Sequence, residues 1–259
     1  MNQLFKKKNL RVKIIGRNIN DLLPLLTKYP IQLVDENPDL VISHGGDGFL
    51  LGAERQFPGV PKCPIRDRKQ NPKCPRHSEE STLEKLFTGQ LKCQNIIHLT
   101  AQAPNNNSLT AINDLVLTRK LVTSANRYRI WTNGELFSPQ IVADSLVFCT
   151  SFGSTGYFQS ITRGILHSGI GIAFNNAMDG PEFLVVPEDT KIEIALLRGP
   201  AVLIADNNPA SINIHEQEKI VIESTSLKTP IYGIDIFRCP YCYELRRTID
   251  PAGSTSKEQ

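Results

Sequence analysis

The chain has 259 residues, 40% of them hydrophobic and 21% charged, a balance that excludes a disordered, highly charged chain and leaves length for one or two cores at about 150 residues per domain. Its formal net charge of +3, from 29 basic and 26 acidic residues, is too even to point to a nucleic-acid or membrane-surface partner. No run approaches the roughly 18 apolar residues of a membrane span. No apolar secretory segment follows Lys6-Lys7-Lys8 either, so the expected location is the cytoplasm.

The first 60 residues alternate strand and helix patterns. Arg11 to Gly16 reads as a strand ending in a turn. Asn18 to Tyr29 carries Leu22, Leu23, Leu25 and Leu26 and reads as a helix capped by Asn20, with Pro24 tolerable near its first turn. Ile31 to Val34 and Leu40 to Ile42 read as strands, and Phe49 to Phe57 as a helix. This βαβ order implies a Rossmann-like α/β domain on a parallel sheet. Residues 58–80 hold five prolines and read as a loop or inserted lobe, followed by a short helix from Ser81 to Phe87 with Ser81 or Thr82 as cap.

From about residue 95 the pattern becomes one of short strands. Ile96 to Thr100, Leu115 to Thr118, Arg127 to Trp131, Glu135 to Val142, Lys191 to Leu197, Ala201 to Ala205, Ser211 to His215 and Lys219 to Glu223 all suit a layered sheet or sandwich. Asn133-Gly134 is a hairpin turn signal, because both residues accept positive φ. Tyr157 to Leu166 and Tyr241 to Ile249 read as helices, the second returning to the first domain. The expected organisation is an α/β domain over 1–94 completed by 236–259, and a β-rich domain over 95–235.

Three motifs carry chemistry. Gly45-Gly46-Asp47-Gly48 joins an apolar strand to a helix start. Glycines let the backbone approach an anion closely, and successive N–H groups with a helix N-terminus favour phosphate. Asp47 is the odd member: a carboxylate beside phosphate can organise Mg²⁺ or take the proton of an attacking hydroxyl. Its structural alternative is a tight turn with Asp47 as helix cap. Asn113-Asp114 offers an amide and a carboxylate within a strand-like run, a set suited to ribose hydroxyls or an amide-bearing ring; the alternative is an Asx turn at a strand edge. Asp144-Ser145 opens a strand that ends in Ser151-Phe152-Gly153-Ser154-Thr155-Gly156-Tyr157, a second Gly/Ser/Thr turn with an aromatic face.

In order and spacing these motifs resemble the NAD kinase family, whose pattern is Gly-Gly-Asp-Gly, then Asn-Glu, then Asp-Gly with a hydroxyl-rich segment ending in tyrosine. Asp206-Asn207-Asn208 is similar to a family Asp-Gly turn, and Tyr241 to Arg247 to its terminal helix. The resemblance covers nearly the whole chain except residues 58–80. It implies transfer of a phosphoryl group from ATP or inorganic polyphosphate to the 2′-hydroxyl of the NAD adenosine ribose, giving NADP, with Mg²⁺ or another divalent metal. Asp47 would be the catalytic base or metal-organising acid, Gly45, Gly46 and Gly48 would bind phosphate, and Asn113, Asp114, Asp144, Ser154, Thr155 and Tyr157 would bind substrate. A homodimer or homotetramer is implied, with Asp144 reaching a neighbouring subunit's site. Phe49, Asp114, Ser145, Phe152 and Gly156 depart from the family's residues. They leave open a kinase with another acceptor, or a nucleotide sensor without turnover.

Six cysteines are present. Cys93 and Cys149 sit among apolar neighbours and read as core residues. Cys63, Cys74, Cys239 and Cys242, or three of these with His77, would close a tetrahedral structural Zn²⁺ site; the alternatives are separate thiols or a redox pair at Cys239 and Cys242.

Overall fold

In a computed structural model of the chain, residues 4, 7, 9–67 and 77–247 are described. The chain divides into two compact units, Met1–Asn95 with Thr229–Gln259, and Ile96–Lys228. The first is α/β and the second is β-rich.

In the first unit, strand β1 (Leu10–Gly16) pairs in parallel with β2 (Ile31–Leu33) and with β3 (Leu40–His44). The helix expected between β1 and β2 is only a 3-10 turn at Ile19–Asp21 and a four-residue helix, α1 (Leu23–Leu26). Asn20 does not cap it: Leu22 holds that position and makes no side-chain bond, with Pro24 just inside. Proline has no N–H to donate, so an α-helix can start at this point but not run through it. The wholly buried β3 leads into α2 (Asp47–Gln56), which starts two residues before the expected helix.

The proline-rich stretch departs most from its sequence reading. Lys62–Ile65 is a fully buried strand, β4, parallel to β3. Pro64 is tolerated there because the other neighbour, the end of a long strand, pairs with β4 only at Ile231–Lys62. Next comes α3 (Glu79–Phe87), capped by Ser78, whose Oγ accepts the Ser81 N–H at 3.1 Å; Ser81 and Thr82 lie inside the helix. The core of this unit gathers Leu10, Val12, Leu22, Leu40, Ile42, Cys63, Leu83 and Tyr232.

Strand β5 (Cys93–Gln102) enters the second unit at Ile96 and pairs antiparallel there with β6 (Ser108–Ala111). Cys93 is exposed rather than in the core, because burial along β5 begins only at Ile96. One sheet aligns β8 (Asn126–Thr132) between β9 (Glu135–Ala143) and β13 (Ile192–Arg198). The start of β16 (Lys219–Tyr232) pairs with β13. A six-stranded sheet runs β12 (Phe183–Val186), β11 (Ile170–Asn175), β10 (Ser145–Cys149), β7 (Asp114–Arg119), β14 (Ala201–Ala205), β15 (Ser211–Ile214). Inward residues of the two sheets, among them Tyr128, Ile130, Ile194 and Ile222 from one and Leu117, Phe148, Ile172 and Leu203 from the other, form one core. The opposite face of the six-stranded sheet packs Val116, Val147, Cys149 and Ala173 against Phe158 of α4 (Tyr157–Thr162). Burial on both faces explains why β10 is apolar throughout. The expected helix to Leu166 stops at Thr162 because Arg163 turns left-handed, at φ 60°. The Asn133-Gly134 hairpin has φ of 50° and 81°, as its sequence requires.

β16 ends in the first unit and leads to α5 (Ile234–Phe237) and α6 (Pro240–Arg247). Among the described residues no helix is long and apolar enough to cross a membrane.

One buried ion pair organises the first unit. Lys62 is wholly buried, with its Nζ 2.6 Å from Glu54 Oε2 and donating to the Phe57 and Val60 carbonyls at 2.6 and 2.7 Å. Glu54 Oε1 accepts from the Gly59 N–H and the Thr229 hydroxyl, both at 2.8 Å. Burial pulls the Lys62 pKa below its ordinary value, and Glu54 opposes that pull. Breaking such a pair strands a charge, at about 3–5 kcal/mol. Lys62→Met is expected to lower the stability of the first urea transition by about 3 kcal/mol, and adding Glu54→Leu to restore much of it. Equal losses in the single and double variants would contradict this account.

Candidate functional site

The glycine loop is built by the arrest of β3. Gly45 takes φ 142°, a conformation closed to most L-residues, and its N–H donates to the Ile65 carbonyl at 2.8 Å. A Cβ here would come within 2.4 Å of the Phe49 ring. The side chain that departs from the family residue therefore packs directly on the loop. Gly46 is the N-cap of α2 and makes no side-chain cap, so Asp47 stands at the first helical position rather than at the cap.

Asp47 is held by two guanidinium groups. Arg66 Nη2 donates to Oδ2 at 2.9 Å and Arg238 Nη2 to Oδ1 at 3.3 Å. The carboxylate remains 42% exposed, so the pairs leave it open to a ligand. Burial acts to raise its pKa, but the charges of Arg66 and then Arg238 outweigh it and hold the carboxyl below its ordinary range. Arg66 is itself fixed. Its Nε donates to the Phe237 carbonyl at 3.1 Å and its guanidinium lies 3.8 Å from the Phe237 ring centre. It also flanks the loop, since Arg66 Nη1 is the atom nearest to Gly46's open side, 3.6 Å from where a Cβ would stand.

In the second unit the Asn113-Asp114 motif opens β7. Its backbone is clamped by a carboxylate that the sequence reading placed only in a turn. Asp206 Oδ1 accepts the N–H groups of Asn113 and Asp114 at 2.8 and 3.0 Å, and Oδ2 accepts that of Ile112 at 3.0 Å. Thr150 secures the other side, its hydroxyl donating to the Ile112 carbonyl at 2.5 Å and accepting the Gly153 N–H at 3.0 Å. Gly153 is required there, because a Cβ would lie 2.0 Å from the Asn113 carbonyl oxygen. The two side chains meet beneath Gly156: a Cβ on it would stand 3.7 Å from Asn113 Nδ2 and 3.9 Å from Asp114 Oδ2. Asn113 Oδ1 is buried with no hydrogen-bond partner among the described residues. An orphaned acceptor of this kind favours a ligand donor. Asp114 is buried, and its pKa rises to about 7 through that burial and then the nearby Asp206 charge.

The remaining candidates separate by environment. Tyr157 is exposed at the start of α4, and its hydroxyl accepts from Asn175 Nδ2 at 3.2 Å. Thr155 is exposed beside it. Ser154 is buried, and its hydroxyl bonds the Ser151 carbonyl at 2.8 Å and the Leu166 backbone at 3.2 Å, so it ties the loop together. Asp144 pairs with Arg119 at 2.8 Å and accepts from Asn176 at 2.9 Å. Of the proposed metal ligands, Cys239 and Cys242 come together with His77. Cys63 is not in that group and packs in the core of its unit. Cys74 lies outside the described residues. Sequence reasoning missed Arg66, Arg238 and the role of Asp206. Arg66 sits in the stretch read as an insert, and only the need to balance a carboxylate could have pointed to it.

No protein-family model matches the chain. It is 26% identical over 234 residues to the NAD kinase of Nitrosomonas europaea, covering 81% of this chain and 78% of that one. It is 29% identical over 163 residues to the NAD kinase of Clostridium kluyveri, covering 58% and 57%. Among solved structures it is similar to yeast NADH kinase complexed with NADH, at a TM-score of 0.75 and 15% identity over 98% of this chain and 90% of that one. It is also similar to an NAD kinase from Archaeoglobus fulgidus in complex with ATP, at a TM-score of 0.74 and 18% identity over 93% and 100%. The fold is thus the one these two solved structures share. In sequence and in the order of its motifs the chain is similar to NAD kinases, at identities below 30%.

The state of Asp114 has a measurable consequence. An unfolded aspartate loses its proton near pH 3.9, while Asp114 in the folded chain keeps its proton to about 7. Between those values the folded state binds more protons, so stability falls as pH rises, and it levels off above the folded pKa. The Tm of the wild type relative to Asp114→Asn is expected to drop from about pH 4 to about pH 7. A constant difference across that window would exclude the raised pKa.

Proposed function

We propose that the chain transfers the terminal phosphoryl group of ATP to the 2′-hydroxyl of the adenosine ribose of NAD, giving NADP and ADP. The observation that carries this reading is Asp47, kept ionised by Arg66 and Arg238 at the first position of the helix that follows Gly45-Gly46. An ionised carboxylate can accept the proton of the 2′-hydroxyl as its oxygen bonds to the γ-phosphorus and the bond to the β-phosphate oxygen breaks. Arg66, beside the open face of Gly46, has the charge to meet phosphate oxygens there. Mg²⁺, when bound, would neutralise those oxygens, and Asp47 is the carboxylate of the loop able to face it. Inorganic polyphosphate is an alternative donor of the same chemistry.

Asn113 and Asp114 are assigned to the dinucleotide. The buried Asn113 Oδ1 accepts a ligand N–H or O–H, and Asp114 accepts ribose hydroxyls once ionised. Thr155 and Tyr157 supply an exposed hydroxyl and ring for the rest of the nucleotide. A homodimer or homotetramer with Asp144 near a neighbour's site remains part of this proposal, as does a cytoplasmic location. One observation favours a second reading, nucleotide binding without turnover: Asp47 is already engaged on both oxygens.

Incubation with NAD, Mg²⁺ and ATP or polyphosphate, read by an NADP-specific dehydrogenase, separates the two. Asp47→Asn is expected to lower kcat by about 10²–10⁴-fold with little change in NAD affinity. NAD binding without NADP formation in the wild type would establish the sensor instead. For the active enzyme, kcat/KM for NAD is expected to rise with pH through about 7, and Asp114→Asn to remove that limb.

A further inference from the structure

We propose that His77, Cys239 and Cys242 bind a zinc-class cation, which anchors the C-terminal segment of the first unit. One ligand atom from each of the three residues lies within 4.8 Å of the others. His77 Nδ1 and Cys242 Sγ are 3.4 Å apart. With Zn–S of about 2.3 Å and Zn–N of about 2.0–2.1 Å, a tetrahedral site puts such a pair about 3.6 Å apart. The observed edge is therefore close to the one a metal requires.

The ligands are presented by two helix starts. Ser78 caps α3, so His77 sits one residue before the cap. Cys239 immediately precedes α6, and its carbonyl accepts the Tyr243 N–H at 3.0 Å, the first turn's bond. Cys242 follows at i+3, which brings it onto the same side of that turn. Two thiolates and an imidazole select a soft or borderline cation such as zinc, whereas the Mg²⁺ of phosphoryl transfer takes hard oxygen ligands. The proposed ion is thus chemically separate from the reaction's metal.

The packing of α6 gives an independent reason for an anchor. Of its described side chains only Cys242 is buried, while Tyr241 and Tyr243 are 62% and 52% exposed. Apolar burial does little to hold this helix. Metal ligation at its first turn does so instead, against a wall made of Pro64, Ile65, Thr82, Ile236 and Phe237. Arg238, one residue before Cys239, reaches Asp47, so the same anchor fixes one of the two cations on that carboxylate.

The test uses the full chain purified without chelator. Elemental analysis is expected to find about one equivalent of zinc, falling at least fivefold in Cys242→Ser and in His77→Ala. Cobalt replacing zinc in the wild type is expected to give the thiolate charge-transfer and tetrahedral d–d absorption of a mixed S/N site. Removing zinc is expected to speed amide exchange over residues 234–245, leaving the second unit unchanged. The cobalt and exchange measurements need no variant, so a misfolded substitution does not blunt the test. Folded wild-type protein with under about a tenth of an equivalent of zinc and no cobalt spectrum would overturn the site. So would a Cys239–Cys242 disulfide found in metal-free, folded protein, which would make the pair a redox element. Neither outcome depends on which acceptor the enzyme phosphorylates.

Discussion

The charge of the glycine loop's carboxylate depends on the placement of two guanidinium groups around it. A bare aspartate at the start of a helix, half removed from water, is pushed towards its neutral form by burial. Arg66 and Arg238 reverse that push at Asp47. They come from distant points of the chain, one just beyond β4 and the other just beyond α5. The parallel strand β4 and the returning C-terminal segment are therefore what bring both cations to Asp47. At 42% exposure the ion pairs add little stability, since water screens them. Their effect is on charge state and direction. A ligand carrying several phosphate oxygens can recruit the same guanidiniums and release the carboxylate to its own task.

The second unit solves the converse problem. Asp206 spends its carboxylate on three backbone N–H groups and so freezes the corner on which Asn113 and Asp114 sit. That charge, a short distance away, helps raise the pKa of Asp114. One acid is spent on backbone donors, and the other is poised near neutrality by its burial and by the charge of the first. Gly156 lies directly against this pair, since a Cβ there would stand 3.2 Å from the Gly153 carbonyl oxygen and within 4 Å of both Asn113 and Asp114.

The sequence was legible where a residue's own chemistry dictates its geometry. The glycines at 45 and 46 marked the strand-to-helix loop, Asn133-Gly134 marked its hairpin, and the alternation at Ile192, Ile194 and Leu196 marked a strand whose alternate side chains line the sandwich core. It was illegible where distant partners decide. Lys62-Cys63-Pro64-Ile65 looks like a loop because a lysine and a proline discourage a buried strand. It is one because Glu54 neutralises the lysine and the neighbouring strand pairs at Lys62 alone. The helix expected at 18–29 failed for the opposite reason: its leucines had the right spacing, but Pro24 denied the backbone bonds on which a longer helix rests.

The cysteines show the same division. The sequence pointed to four thiols, or three with His77, and among the described residues the fold sorts the cysteines by environment. Cys63 is buried in the apolar core of the first unit, apart from the His77, Cys239 and Cys242 group. Cys149 is buried behind the sheet, its thiol pushed up to about 12 by burial, which leaves it an apolar filler rather than a thiolate. Cys239 and Cys242 are left at a helix start with an imidazole in reach. Soft ligands and hard ones thereby stand on different elements of one unit: His77 before α3 with Cys239 and Cys242 at the start of α6, and the Asp47 carboxylate at the start of α2.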